Sequence, residues 1–253
     1  NYPERKKRQY IISKILLKKN MTKLFEKNSY LTEFKSKVIN VNKEEKKIEL
    51  EETAFYGKSG GQPGDRGKLI YENIEIEVLE TIKQDGKIIN LVNEVNDLTI
   101  GSEVEGKIDW NIRYQHMKMH TALHLMCSII PLGVTGGQIG NNKSRLDFND
   151  PNKEINKEEL EKKINLLVEE NHEVTSEVID SKILDEKPEL VRTMSVKPPQ
   201  TNDKIRLIKI GSVDIQPCGG THVKSTKEIG KIKIGKIENK GKMNRRVNLI
   251  LSG

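Results

Sequence analysis

Two short stretches of this sequence carry side chains that could bind one metal ion. His120 and His124 lie one helical turn apart in a run with helical periodicity, so their imidazoles share a helix face. Much later in the chain, Cys218 and His222 are separated only by Gly-Gly-Thr. Histidine nitrogen with cysteine sulfur is the ligand set that zinc prefers among the common divalent metals. The sequence therefore predicts that these four residues bind one Zn²⁺ and that the site is catalytic.

The number of zinc ligands is left open by the sequence. Three histidines and one cysteine would close a tetrahedral site, whereas a catalytic zinc keeps one position open for water or substrate. His120, His124 and Cys218 are the strongest candidates, and His222 follows them. His116, one turn before His120, is a further candidate, either as a substitute ligand or as a base.

A long helix is needed to present the first histidine pair. Trp110 to Ile130 has helical periodicity and is stopped by Pro131, so it is predicted to form that helix. Cys127 falls in its apolar part and is predicted to be a core residue. A second helix is expected to begin at Asp150-Pro151. Because most of the remaining segments are strand-like, one central helix against later strands predicts a two-layer α/β domain.

The chain before Trp110 has a period of two instead. Apolar and polar residues alternate along Leu69–Leu79, which is predicted to be a strand. Strands are also predicted at Lys35–Asn42 and Lys46–Glu51, and at Lys87–Val92 after the Gln84-Asp85-Gly86 turn. Short strands joined by turns predict a small antiparallel β-barrel. The predicted fold class is therefore α+β, with a β-barrel domain at residues 21–108 followed by the α/β zinc-binding domain at 109–253.

Basic residues are concentrated at the two ends of the chain. Residues 1–20 hold seven Lys or Arg and one Glu, which accounts for most of the net charge of +7. We interpret them as an extension upstream of a natural start at Met21 and exclude them from the fold prediction. Residues 224–246 hold nine basic and two acidic residues. That segment, with Arg245 and Arg246, is either a phosphate-contacting surface or a solvated lysine-rich edge.

The composition also excludes some classes of protein. The 253 residues contain only two cysteines, so the sequence has no disulfide framework. It has no secretory signal and no apolar run approaching the ~20 residues of a membrane span. We expect a cytoplasmic enzyme without membrane association and without a stable protein partner.

One stretch in the barrel region is too rich in glycine to be a strand. It runs from Thr53 to Asp65 and contains Gly60-Gly61-Gln62. It could be only a flexible connector. Glycine pairs also allow backbone N–H groups to approach a ligand closely, so Gly60 and Gly61 are candidate substrate-binding residues.

Taken together, these motifs resemble a known family. The runs Trp110–Leu125 and Cys218-Gly-Gly-Thr-His222 are similar to the editing domain of alanyl-tRNA synthetase and to its free-standing relatives, the AlaX trans-editing proteins. Further similarity lies in Ala54-Phe-Tyr, Gly60-Gly-Gln-Pro-Gly-Asp65, Gly137-Gln-Ile-Gly140, Arg145-Leu-Asp-Phe148 and Lys240-Gly-Lys-Met-Asn-Arg-Arg246. The resemblance covers about Met21 to Leu251 and is closest to the medium-length AlaX type.

The resemblance implies hydrolysis of the ester between a wrong amino acid and tRNA(Ala), chiefly serine, with glycine as a second candidate. It implies that Thr53 contacts the serine hydroxyl and that Gln62 lines the same pocket. A site built to hydrogen-bond the serine hydroxyl has its own polar group left without a partner when alanine enters, and this cost discriminates against alanine. Whether zinc lowers the pKa of a water or orients the substrate's amino group stays open.

Two other functions compete with this interpretation. The chain could be a non-catalytic tRNA-binding module in which zinc serves only the fold. It could also edit mischarged threonine tRNA, since threonyl-tRNA synthetase has a related domain. The Ala54-Phe-Tyr and Gly60-Gly-Gln motifs favour the alanine system over the second of these.

Overall fold

The computed structural model describes residues 21–194, 200–201 and 203–252, which form two compact units. The first unit contains the described residues up to Lys58 together with Gly64–Trp110. The second contains Asn111 onward and also Ser59–Pro63, the centre of the glycine-rich stretch. The predicted basic extension at residues 1–20 lies outside the described residues.

The first unit is a closed barrel with two short additions. The elements of this unit are β1 (Thr22–Lys23), α1 (Leu24–Lys27), β2 (Glu33–Asn42), β3 (Lys47–Leu50), β4 (Glu52–Thr53), β5 (Gly67–Tyr71), β6 (Ile74–Gln84), β7 (Lys87–Val92) and β8 (Glu103–Ile108). The six barrel strands are paired in the order β2-β3-β7-β6-β5-β8, and every pair is antiparallel. The predicted α+β class and the small antiparallel barrel are therefore confirmed.

The barrel has a hairpin where one strand was predicted. Leu69–Leu79 is divided between β5 and β6, and Tyr71 pairs with Ile74 across a two-residue turn. The turn residues Glu72 and Asn73 have φ values of +47° and +67°. Positive φ at both central positions is the geometry that lets a two-residue turn match the twist of its strands. Apolar alternation continues through such a turn, so the pattern alone does not reveal it.

The barrel interior is filled by the apolar residues of the alternating pattern. Ile48, Leu69 and Ile76 come from three different strands and are all 0% exposed. Burying each of these side chains contributes about 1.5–3 kcal/mol relative to leaving it in water. The period of two therefore fixes which side of each strand faces inward.

The second unit combines four-stranded sheets with one long helix. The elements are α2 (Trp110–Ile129), β9 (Val134–Gln138), β10 (Lys143–Asn149), α3 (Lys157–Glu169), β11 (Val174–Asp180), α4 (Ile183–Glu186), β12 (Gln200–Thr201), β13 (Lys204–Ile210), β14 (Asp214–Pro217), β15 (Ile232–Lys240) and β16 (Asn244–Leu251), with 3₁₀ turns at Pro188–Leu190 and Thr226–Ile229. One sheet has the order β15-β16-β10-β9, and in the other β13 pairs with β11, β12 and β14. None of the helices described is long and apolar enough to cross a bilayer.

The start of α3 was predicted wrongly at Asp150-Pro151. The helix begins at Lys157, where the Asn156 side chain accepts the N–H of Glu159 at 3.0 Å. The Asp150 carboxylate instead accepts the N–H of Glu154 at 3.0 Å and so closes a turn before the helix. Asp and Asn side chains accept backbone N–H groups in turns as well as at helix starts. The Asp150-Pro151 pair was therefore compatible with either a turn or a helix start.

Candidate metal centre

The long helix α2 presents the first two histidines. Its sequence contains neither glycine nor proline until Pro131, and it ends at Ile129 just before that proline. His120 and His124 are 8% and 6% exposed, and their ring centroids are 5.2 Å apart. One helical turn therefore places two imidazoles side by side in a buried environment, as the spacing predicted.

The loop after β14 presents the cysteine and the third histidine. Arg206 on β13 donates from Nη1 to the carbonyl oxygens of Cys218 at 3.0 Å and Gly220 at 2.8 Å. The Cys218 N–H in turn donates to the Arg206 carbonyl at 3.0 Å. These three bonds fix the backbone of the loop against the sheet. Arg206 carries no motif signal, and sequence reasoning missed it.

The four predicted ligands come together in this unit. The candidate ligand atoms of His120, His124, Cys218 and His222 all lie within 4.8 Å of one another, and all four residues are buried. The Cys218 Sγ is 3.4 Å from Nε2 of His120 and 3.4 Å from Nε2 of His222. This group could hold a metal ion.

The electrostatics of the group favour the form of cysteine that binds metals. Burial by itself would raise the pKa of the Cys218 thiol, but the neighbouring His120 and His222 lower it well below its ordinary value. Burial lowers the pKa of His124, yet hydrogen bonds to Asp214 and Cys218 outweigh burial and raise it to about 9. Burial lowers the pKa of His222 well below its ordinary value, in the direction of the neutral imidazole. A thiolate with imidazoles is the donor set of a zinc site.

The charge balance of the group also fits a divalent cation. The Cys218 thiolate and the Asp214 carboxylate are two buried negative charges, and the imidazoles beside them are neutral whenever they ligate a metal. Buried charge is costly unless an opposite charge compensates it. A bound divalent ion would supply that compensation, so the residues present fit Zn²⁺.

Gln62 contacts the group from the glycine-rich stretch. It is 0% exposed, and its Oε1 lies 2.8 Å from His120 Nδ1 and 3.2 Å from the backbone nitrogen of Thr221. Its Nε2 donates to Thr221 Oγ1 at 2.8 Å. Gln62 therefore bonds both to one of the candidate ligands and to the loop that carries two others.

Gly60 and Gly61 form the turn that places Gln62. Their φ values are +56° and +81°, a region that favours glycine. A Cβ on Gly61 would lie 2.9 Å from the Gly137 carbonyl oxygen, and the Gly61 carbonyl accepts the N–H of Ile139 at 2.8 Å. Gly61 thus packs closely against another backbone segment, and the approach of Gly60 and Gly61 to a ligand stays a prediction.

His116 and Cys127 lie on α2 apart from the four-residue group. His116 is 2% exposed and is not among the four residues whose candidate ligand atoms converge. Burial raises the pKa of the Cys127 thiol to about 12, which keeps it protonated. Cys127 is thus a core thiol, whereas a role for His116 as a base stays a prediction.

Thr53 belongs to the first unit, at the end of β4. It is 1% exposed, and its hydroxyl oxygen accepts the N–H of Phe55 at 3.1 Å. Its strand pairs in parallel with β1, where Thr53 is opposite Lys23. The side chain is therefore held in place within its own unit.

The two candidate arginines lie on opposite faces of β16, because they are adjacent in one strand. Arg246 donates from Nε and Nη2 to the two carboxylate oxygens of Asp147 at 2.7 and 2.9 Å. Arg145, two residues from Asp147 on β10, also donates to that carboxylate. Arg245 shares the other face with Val247 and Leu249, which are both 0% exposed. The two arginines are consequently not equivalent.

A cavity of about 290 Å³ opens on the face of Arg246. Its charged lining residues are Lys143, Arg145, Arg246 and Glu238, and together with Asp147 they leave an excess of positive charge. We refer to this face, formed by Lys143, Arg145 and Arg246, as the basic sheet face.

Comparison with known proteins agrees with this architecture. Two family matches define the class of protein: residues 205–248 match the second additional domain of threonyl and alanyl tRNA synthetases, and residues 4–112 match class II (A) tRNA synthetases. An alanyl-tRNA editing protein AlaX-M of Methanosarcina acetivorans is 39% identical over 240 residues, which cover 90% of this chain and 98% of that protein. The chain belongs to the AlaX family of alanyl-tRNA editing proteins.

Two further relatives place the chain within this family by length. The AlaX-M protein of Methanosarcina mazei is 39% identical over 236 residues, 88% of this chain and 94% of that protein. The AlaX-L protein of Pyrococcus horikoshii is 34% identical over 87% of this chain but is matched over only 55% of its own length. The chain therefore matches nearly the whole of the AlaX-M proteins and about half of the AlaX-L protein.

Proposed function

We propose that this protein is a zinc-dependent trans-editing hydrolase that deacylates mischarged tRNA(Ala). The preferred substrate would be seryl-tRNA(Ala), with glycyl-tRNA(Ala) second. The observation that carries the proposal is the buried His120, His124, Cys218 and His222 group in a chain of the AlaX family, whose members are named as alanyl-tRNA editing proteins. With a tRNA substrate, the protein would act in the cytoplasm, where translation occurs.

The chemistry required is hydrolysis of one labile ester. Water adds to the ester carbonyl, the bond to the terminal ribose breaks, and the amino acid and the tRNA leave separately. Zinc held by the four residues would supply positive charge to polarise this reaction. The residues around the zinc site must then position the ester and exclude bulk water. For an ester that is already labile, such positioning supplies most of the acceleration of hydrolysis.

Substrate choice is assigned to the glycine-rich stretch. By family resemblance, the Thr53 hydroxyl would contact the serine hydroxyl, and the backbone at Gly60 and Gly61 would approach the substrate. Gln62 would act through His120, because its amide groups are already bonded to His120 and Thr221. His116 is retained as a candidate base.

Recognition of the tRNA is assigned to the basic sheet face. Lys143, Arg145 and Arg246 line a cavity of about 290 Å³ on one side of the sheet. The excess of positive charge on this face suits contact with a phosphodiester of the acceptor end. Arg245 shares its face with the buried Val247 and Leu249 and would contribute mainly by packing.

We expect the variants Arg246→Ala and Arg245→Ala to differ. Arg246→Ala should raise the tRNA concentration needed for half-maximal deacylation and lower the slope of log affinity against log salt by about 1, as loss of one phosphate contact does. Arg245→Ala should lower the unfolding temperature and leave that slope close to the wild-type value. Lys163→Ala, which removes an exposed charge paired with Glu159 on α3, is the matched control. An unchanged slope for Arg246→Ala would instead support the alternative that residues 224–246 form a solvated lysine-rich edge.

The deciding experiment compares deacylation of seryl-tRNA(Ala) and alanyl-tRNA(Ala) by the zinc-loaded and chelator-treated protein. We expect rapid release of serine, slower release of alanine and loss of both activities without zinc. Binding of tRNA without release of either amino acid would instead support the non-catalytic binding module. Faster release of serine from a threonine tRNA body would support the threonyl system.

A further inference from the structure

Each imidazole of the candidate metal centre has a polar partner on its outer nitrogen. His120 Nδ1 is 2.8 Å from Gln62 Oε1, His222 Nδ1 is 3.1 Å from Thr121 Oγ1, and His124 Nδ1 is 3.2 Å from Asp214 Oδ2. The partners come from a loop, from α2 itself and from β14. All three use Nδ1, which leaves Nε2 of each ring for the interior of the group.

The hydrogen atoms around Thr121 can be assigned from its neighbours. Its oxygen is 3.0 Å from the Met117 carbonyl oxygen, which has no hydrogen to offer, so the hydroxyl hydrogen lies between those two atoms. The Val223 N–H, which can only donate, approaches the same oxygen at 3.3 Å. The remaining lone pair must accept from His222, so Nδ1 of His222 carries a hydrogen.

The same reasoning applies to Gln62 and His120. The backbone N–H of Thr221 can only donate, so the amide atom that faces it at 3.2 Å is the oxygen Oε1. That oxygen is also the atom nearest His120 Nδ1. Since an amide oxygen only accepts, Nδ1 of His120 carries a hydrogen as well.

Asp214 is the charged member of this set. Its carboxylate accepts from His124 Nδ1 and from Gln216 Nε2 at 2.8 Å, and its side chain is 1% exposed. The second oxygen, Oδ1, has no hydrogen-bond partner in the described part of the chain. Asp214, Gln216 and Cys218 alternate along β14 and the loop after it, so all three are buried while Ile215 between them is exposed.

We infer that Thr121, Gln62 and Asp214 are positioning residues that fix all three imidazoles with the hydrogen on Nδ1 and the Nε2 lone pair directed inward. The inference rests on the metal site of the proposed function and adds residues that do not touch the metal. Outer partners of this kind set the orientation and tautomer of ligating histidines, and their loss typically lowers metal affinity about 10- to 100-fold.

Thr121 gives the sharpest test because valine has the same shape without the hydroxyl. Thr121→Val would leave the N–H groups of His222 and Val223 without an acceptor, so we expect zinc affinity to fall about 10- to 100-fold. Thr121→Ser keeps the hydroxyl and should stay close to the wild type. The matched control is Thr226→Val, because Thr226 is 0% exposed and its hydroxyl bonds Leu167 and His172 but none of the four candidate ligands.

Zinc affinity would be measured by competition with a chromophoric chelator, and cobalt spectra would report the ligand geometry of each variant. The ¹⁵N–¹H correlations of the histidine rings in the zinc-loaded wild type would report the tautomers directly, even if Thr121→Val does not fold. We expect hydrogen on Nδ1 in all three ligating rings. A hydrogen on Nε2 of any of them, or equal zinc affinity for Thr121→Val and the wild type, would overturn the inference.

Failure of the proposed function would have a different signature. A wild-type protein that binds no zinc contradicts the metal site itself, before any variant is compared. A protein that binds zinc with the expected tautomers but releases no amino acid contradicts the enzyme assignment and leaves the three positioning residues supported.

Discussion

Replacing Cys218 by alanine is expected to abolish stoichiometric zinc binding and most of the deacylation of seryl-tRNA(Ala). Cys218 is the one sulfur donor in the group. Its negatively charged Sγ lies 3.4 Å from Nε2 of His120 and 3.4 Å from Nε2 of His222. Its loss removes a ligand and part of the charge that would stabilise a divalent ion. Because a direct ligand contributes more than an outer partner does, zinc affinity should fall by at least about 100-fold.

Cys127→Ala is the matched control for this variant. Both cysteines are buried in the same unit, but the Cys127 thiol lies outside the ligand group and has a pKa raised to about 12 by burial. It should lose some packing and retain zinc. The measurements are zinc content after dialysis and the rate of serine release. Full zinc content and full rate in Cys218→Ala would show that this residue is not a ligand.

The sequence was sufficient to identify the four candidate ligands because each pair of them is local. His120 and His124 need only a helix, and Cys218 and His222 need only a short loop with glycines. The barrel was predictable from local pattern too, since apolar and polar residues alternate clearly along strands such as β6. Local spacing thus predicted which side chains could ligate, whereas the convergence of the two stretches depends on the fold.

The outer partners of the ligands could not be predicted in the same way. Thr121 meets His222 across 101 positions and Asp214 meets His124 across 90, so these contacts depend on strand register and on the loop held by Arg206. A weak signal existed for Asp214, because it shares the alternation of Cys218. No comparable signal marks Thr121.

Strand register also separated two residues that the sequence treats alike. Arg245 and Arg246 are adjacent in a basic segment, and composition alone assigns them one role. In β16 they face opposite sides of the sheet, and Arg246 pairs with Asp147. The direction of each side chain must therefore be known before a binding role is assigned to neighbouring charged residues in a strand.

Gly220→Ala is expected to disrupt the metal centre although it removes no ligand. A Cβ at this position would lie 2.1 Å from Cε1 and 2.4 Å from Nδ1 of His120, and 2.9 Å from Oε1 of Gln62. His120 cannot move away easily, because α2 holds its backbone and Gln62 is bonded to Thr221. Either the imidazole or the loop must shift, so the bond between His120 and Gln62 should be lost.

Gly136→Ala provides the matched control, since its added Cβ would meet Asp147 Oδ2 at 3.4 Å, an ordinary contact. We expect Gly220→Ala to lose about 1–3 kcal/mol of folding free energy through overpacking and to bind zinc far more weakly. Gly136→Ala should keep the zinc affinity of the wild type. Thermal unfolding of the zinc-free proteins and chelator competition measure these two effects separately. Wild-type zinc affinity in Gly220→Ala would mean that the loop can yield without disturbing His120, and the close approach of glycine and imidazole would then have no part in holding the site.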